Sequence, residues 1–80
     1  MNADRRKALA KVRVALESAK TELEDVAAQE RDAFDNLPES IQASDKGREM
    51  EAVADTLDES TQQIEEALAG IDDVINYGHP

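Results

Sequence analysis

Paired carboxylates are the residues of this chain whose type and spacing come closest to chemistry. Glu65-Glu66 and Asp72-Asp73 lie seven residues apart, so a helix would place both pairs on one side. Metal centres in helical bundles combine inward-facing Glu with a Glu-x-x-His motif on a facing helix. This chain has no such motif, and its single histidine, His79, follows the last predicted helix. The carboxylates therefore predict a solvated helix face rather than a metal site.

Other arrangements that support catalysis are also missing from the sequence. The serines, for example Ser18 and Ser60, have no base at a matching position. The glycines form no phosphate-binding loop. Because the chain has no cysteine, disulfides and thiolate chemistry are excluded. We expect a protein that is not an enzyme, with no catalytic residue, no metal and no cofactor.

Acidic residues are concentrated after the first twenty positions. The net charge is −10; residues 1–20 carry +4 and residues 21–80 carry −14. This surface opposes direct nucleic-acid binding and suits a protein partner with a basic surface. The alternative is that the acids only keep the protein soluble. The candidate partner-binding acids are Glu22, Asp25, Asp32, Asp35, Glu51, Asp55, Asp58 and Glu59.

Two heptad patterns, separated by Pro38, must position these residues. The first predicts a helix over about 4–35, capped by Asn2 or Asp4. Its apolar residues recur at alternating steps of three and four, with Glu30 as the polar exception. The predicted stripe is Leu9, Val12, Leu16, Ala19, Leu23, Val26, Ala33 and Leu37, with Ala8, Ala15, Ala27 and Phe34 on its flanks.

The second pattern predicts a helix over about 45–76, with Ser44 as its N-cap and Gly78 and Pro80 marking its end. Three positions of each heptad are mostly apolar, which suits a bundle better than a two-stranded seam. One core position holds Met50, Leu57, Ile64 and Ile71, the next holds Val53, Ser60, Ala67 and Val74, and Ala54, Thr61, Leu68 and Ile75 flank them.

The segment 36–44 is predicted to be a turn. Asn36 is expected to cap its start, and the Glu39 side chain is expected to bond back to Asn36 as in a capping box.

Three polar or small sites leave alternatives open. Glu30 either fixes the register or marks the fraying end of the stripe. Ser60-Thr61 either fixes the register or forms a narrow waist. Gly70 is either a surface glycine or a point where another helix approaches closely.

Together these patterns predict an all-α protein in which residues 1–80 form one antiparallel two-helix hairpin with a short tail, 77–80. Paired residues have numbers that sum to about 80, and the basic start lies beside the acidic end. Two helices enclose little volume and the aromatics are only Phe34 and Tyr77, so we expect a homo-oligomer, a four-helix dimer. The predicted core and oligomer interface comprises Leu9, Val12, Leu16, Leu23, Val26, Phe34, Met50, Leu57, Ile64, Leu68 and Ile71.

The stretch from Ala33 to Gln42, Ala-Phe-Asp-Asn-Leu-Pro-Glu-Ser-Ile-Gln, followed by Ser44, Gly47 and Met50-Glu51, carries a family resemblance. It is similar to small acidic helical proteins of bacteriophages and prophages with an F-D-N-(L/M)-P-E-S-(I/L)-Q stretch. The resemblance implies no catalytic residues. It implies a phage setting, where small acidic proteins often bind and block host machinery.

We therefore expect a non-catalytic protein–protein interaction module that self-associates and binds a host or phage protein. The alternative is an acidic nucleic-acid mimic that inhibits a host defence, of the anti-CRISPR or anti-restriction type, or a DNA-processing complex. No apolar run approaches the ~20 residues of a membrane span, and the charged N-terminus is unlike a signal peptide. We expect a soluble protein of the cytoplasm, of a bacterial host if phage-derived.

Overall fold

A computed structural model describes residues 1–77 of the chain. It contains three helices, α1 (Ala3–Asp35), α2 (Glu39–Gln42) and α3 (Asp45–Asn76). The two long helices begin and end within one residue of the expected positions. The predictions made for Gly78, His79 and Pro80 lie outside the described residues.

The described elements are all helices, which confirms the all-α class. α1 and α3 pack along each other in an extended hairpin that measures 59 × 16 × 15 Å. Ion pairs join Arg13 to Asp72 and Arg31 to Asp55, so low numbers meet high numbers and the two helices are antiparallel.

Both long helices begin at side-chain caps that the sequence predicted. The Asn2 side chain accepts a hydrogen bond from the Arg5 backbone N–H at 2.9 Å, and the Ser44 hydroxyl accepts one from Gly47 at 3.4 Å. Each cap satisfies a backbone donor that has no partner within the first helical turn. The charged first-turn residue of each helix, Asp4 and Asp45, lies where the helix dipole favours an anion.

The turn differs from the predicted capping arrangement. Asn36 is the C-cap of α1 rather than the cap of the turn; its backbone N–H donates to the Asp32 carbonyl, and the Leu37 N–H donates to the Phe34 carbonyl. Pro38 precedes the short helix α2, and no side chain caps that helix. The reciprocal bond expected between Asn36 and Glu39 therefore does not form, because the end of α1 already uses Asn36.

The chain closes through a contact between α2 and α3. Gln42 Nε2 donates to the Phe34 carbonyl at 3.0 Å and to the Asp35 carbonyl at 3.4 Å, which satisfies acceptors left over at the end of α1. Gly47 is buried against the end of α2. A Cβ on Gly47 would lie 2.2 Å from the Gln42 carbonyl oxygen, so only glycine fits.

The seam, the strip of residues through which α1 and α3 contact each other, lies further around each helix than predicted. Val12 and Val26 are 45% and 46% exposed and do not belong to the core of the hairpin; Val53 and Val74 are each 43% exposed. The buried residues instead include flanking positions, namely Ala27, Ala54, Thr61 and Leu68. The other predicted core residues, which are half-buried, are Leu9, Leu16, Leu23, Phe34, Met50, Leu57, Ile64 and Ile71.

The rotation has a physical reason. Two helices bury only two of the three apolar positions in each heptad, so one flank must stay outside. In α1, the flank that faces the seam carries Arg13 and Lys20, which are half-buried. Long basic side chains can cover an apolar seam with their methylene stems while their charged ends reach acids at the rim. The acids of α3 supply those partners, so the flank that looks more polar in sequence packs against α3.

Candidate interaction surfaces

One broad side of the hairpin, the paired face, carries the ion pairs that join α1 to α3. Arg13 binds Asp72 with two hydrogen bonds, Nε to Oδ1 at 2.5 Å and Nη2 to Oδ2 at 3.3 Å. This fork geometry is the strong form of an arginine–carboxylate pair. The hydrogen bond from Arg13 holds the pKa of Asp72 below its ordinary value, and the same bond raises the pKa of Arg13.

Lys20 extends the paired face toward the middle of the rod. Its Nζ lies 3.2 Å from Glu65 Oε1, and this hydrogen bond raises the pKa of Lys20. Sequence reasoning placed the basic start of the chain beside Glu65 and Asp72, and the structure pairs these acids with Lys20 and Arg13. Because the pairs are partly exposed to solvent, they direct the register more than they stabilise the fold.

Arg31 is the residue that sequence reasoning missed. Its Nη2 lies 3.0 Å from Asp55 Oδ1 and also binds Asp58 Oδ2, so one guanidinium links two carboxylates of α3. These hydrogen bonds, first that with Asp58, raise the pKa of Arg31. A signal was present in the sequence, since Arg31 is the only basic residue between Thr21 and Asp45.

The structure divides the predicted partner-binding acids into two groups. Asp55 and Asp58 are paired with Arg31 of the facing helix, at the surface of the hairpin. The other six are exposed and, within residues 1–77, belong to no ion pair; they are Glu22, Asp25, Asp32, Asp35, Glu51 and Glu59. These six carboxylates are therefore available to a partner without breaking a contact of the fold.

The polar side chains of the seam either form a hydrogen bond within their own helix or have no ion-pair partner among the described residues. The buried Thr61 hydroxyl donates to the Leu57 carbonyl of its own helix at 3.0 Å, so it selects no partner on α1. Glu30 is half-buried, and no cation of the described residues pairs with it; Arg48 lies near Asp45 instead, at 3.9 Å. Neither residue supplies a cross-helix bond that would fix the register.

The side opposite the paired face is apolar. In an antiparallel pair, equivalent flanking positions of the two helices lie on the same side of the seam, so the exposed valines of α1 and α3 share a side. Met1, Val74 and Tyr77 line one open hollow there, which places the start of α1 beside the end of α3. We call this side the apolar face; it comprises Val12, Ala19, Val26, Ala33, Val53, Ser60, Ala67 and Val74.

Another hollow within the described residues is an open groove rather than an enclosed site. It has a volume of about 530 Å³, follows the outer side of α1 between Arg13 and Glu22, and has no wall from α3. Within residues 1–77, no three His, Cys, Asp or Glu side chains are arranged to hold a metal ion. No helix in the same range has the length and apolarity to cross a membrane.

Comparisons of the chain with protein-family models, with curated proteins and with solved structures find no match.

Proposed function

We propose that the chain is a non-catalytic protein–protein interaction module that self-associates and binds a basic protein surface. The observation that carries this proposal is the uneven distribution of charge. The closed half of the hairpin, which contains the turn and comprises residues 21–60, holds thirteen acids and three bases, for a net charge of −10. The open half, residues 1–20 and 61–77, holds six of each and is neutral.

The acids of the closed half are largely unused by the fold. Within the described residues, its cations pair only with Asp45, Asp55 and Asp58, so ten of the thirteen acids have no ion-pair partner. Solubility alone would be served by acids spread over the whole rod. Concentration at one half supports a directed role, because a local field raises the encounter rate with an oppositely charged surface.

The partner surface is tested with two matched variants. In the first, Glu51→Gln and Glu59→Gln remove two unpaired acids of the closed half; in the second, Asp4→Asn and Glu66→Gln remove two acids of the open half. The immobilised protein is used to capture proteins from a bacterial lysate at rising salt. We expect the first variant to lose the proteins that the second retains, and capture to weaken as salt screens the charges. Equal capture by both variants would contradict the proposal.

A second candidate function is nucleic-acid mimicry, directed at a host defence of the anti-CRISPR or anti-restriction type or at a DNA-processing complex. The charge density favours it. The closed half spans about 30 Å, half of the 59 Å rod, and a single nucleic-acid strand of that length carries about nine phosphates. A net charge of −10 over the same length is comparable.

Competition distinguishes the two candidates. If the protein is a mimic, its captured partner should bind short DNA, either single-stranded or duplex, and the protein should displace that DNA with an affinity that falls steeply with salt. A partner that does not bind DNA would exclude mimicry and leave the interaction module. The phage setting and the bacterial cytoplasm belong to both candidates as proposals, supported by the resemblance of residues 33–51.

A further inference from the structure

The hairpin leaves one apolar position of each heptad unburied. Leu9 and its equivalents occupy one inner position, and Ala27, Ala54 and Leu68 occupy the other. The third position, with four valines 43–46% exposed, lies on the apolar face. A two-helix protein needs no third apolar position, whereas a helix in a four-helix bundle contacts two neighbours and requires one.

The amount of exposed surface is also large for the size of the chain. The accessible surface is 5913 Å² for 8.8 kDa, while a compact monomer of that mass exposes about 4800 Å². The difference, about 1100 Å², exceeds the roughly 800 Å² that each partner buries in a standard interface. The broad side of the rod, 59 by 16 Å, is large enough to provide that area.

We infer that a second copy of this chain covers the apolar face, and that the two hairpins lie antiparallel, closed half against open half. The inference deepens the proposed function, on whose self-association it rests, by assigning the interface and the orientation. The occupant is a second copy because the face runs along both helices and offers the same residue types to a symmetric partner.

The sizes of the side chains along the apolar face fit a two-fold axis at its middle. With antiparallel residues paired so that their numbers sum to about 80, residues of the two helices form layers, and the central layer is Ala19 with Ser60. About an axis through this layer, the larger layer of Val26 with Val53 packs on the smaller layer of Val12 with Ala67. Small side chains at the centre allow the helices of the two copies to approach each other. On either side of the centre, layers of large side chains pack against layers of small ones and fill the space between the copies.

Charge decides the orientation. In a parallel dimer, two closed halves of net charge −10 would lie side by side, within about 10 Å, close to the Debye length at physiological salt. In the antiparallel dimer, each closed half lies against a neutral open half, and the two acidic regions sit at opposite ends of the 59 Å rod. The dimer therefore presents two separated acidic surfaces, which would allow two contacts with a repetitive or dimeric partner.

The interface is tested by the molar mass of matched lysine variants in light scattering and sedimentation. Val26→Lys with Val53→Lys changes the apolar face, and Val14→Lys changes a valine that is 65% exposed on the outer side of α1. All variants should keep the helical circular dichroism of the original chain, since these positions are outside the seam. We expect the double variant to raise the dimer Kd at least about tenfold and Val14→Lys to leave it unchanged.

The orientation is tested with spin labels, which the absence of cysteine makes straightforward. With Ala43→Cys at the closed end, the antiparallel dimer should give a label separation approaching the 59 Å rod length, whereas a parallel dimer should give about 20 Å, two interhelical spacings. A monomer at micromolar concentration would overturn both this inference and the proposed self-association. A dimer that tolerates the double variant, or that shows the short separation, would overturn the inference alone.

Discussion

In the closed half of the hairpin the fully buried residues are all small, whereas the open half also buries a leucine. Ala27, Ala54 and Gly47 are the buried residues of the closed half, and Thr61 and Leu68 are those described in the open half. The closed half is also strongly acidic and the open half is neutral. In the closed half the backbones approach closely at Gly47, where a Cβ has no room, whereas the Leu68 side chain is buried in the open half. Four changes test this difference.

Gly47→Ala should have the largest effect, because it places a methyl group inside the closed half. The new Cβ would lie 2.2 Å from the Gln42 carbonyl oxygen and 2.5 Å from that of Ile41, and backbone atoms cannot move aside as a flexible side chain can. We expect a loss of about 3 kcal/mol in the free energy of unfolding, at the upper end for overpacking. Denaturant titration followed by circular dichroism measures it, and a stability within 1 kcal/mol of the original would refute the close approach.

Leu68→Ala should have the next largest effect, by removing side-chain contact from the open half. Leu68 is 7% exposed in a hairpin only two helices wide, so the surrounding residues can partly close the space. We expect a loss of about 2 kcal/mol, at the lower end for a buried leucine. The same titration measures it, and Val14→Ala serves as the exposed control. Equal effects of the two substitutions would show that the open half is not held by Leu68.

Gly70→Ala should stabilise the protein. An added Cβ at Gly70 has no atom within 4 Å in the hairpin, in contrast to Gly47. Replacing a helical glycine by alanine removes backbone freedom from the unfolded chain and adds about 1 kcal/mol of stability. The denaturation midpoint measures this gain. A loss of stability together with weaker dimerisation would instead support the alternative that a second helix approaches closely at Gly70.

Asp72→Asn should have the smallest effect, and one that depends on pH. The pKa of Asp72 is lowered by its hydrogen bond from Arg13, so the pair stabilises the folded protein fully above the ordinary value of 3.8. The contribution is lost as the pH falls through the lowered pKa. The stability difference between the original chain and the variant should therefore be present at pH 7 and shrink progressively as the pH falls below the ordinary value and through the lowered pKa. Thermal unfolding at several pH values measures it; a difference that persists at low pH would exclude the ion pair as its cause.

Several elements were predictable because their determinants are local. Ser44 and Asn2 supply side-chain oxygens where helices must begin, and Pro38 excludes a continuous helix. The bounds of α1 and α3 follow from these residues and from the good helix formers between them. The turn was predicted less well, since Asn36 can cap either the end of α1 or the start of a turn, and only the folded chain shows which it does.

The candidate surface was predictable in composition and not in detail. A count of charges places the acids in the closed half. It does not show that Arg31 forms ion pairs with Asp55 and Asp58, because that pairing depends on the register of α1 against α3. It therefore does not separate the acids that hold the fold from those that remain available, such as Glu51 and Glu59.

By itself, the amino-acid sequence determined two long helices, their caps, their antiparallel order and the acidic closed half. These features follow from residue type and heptad spacing. Only the tertiary structure decided which flank of each helix lies inside. Steps of three and of four are both compatible with a helix of 3.6 residues per turn, so Val12 and Arg13 are both consistent with the seam. The packing selects Arg13, whose partner Asp72 lies on the other helix, and leaves the valines on the apolar face.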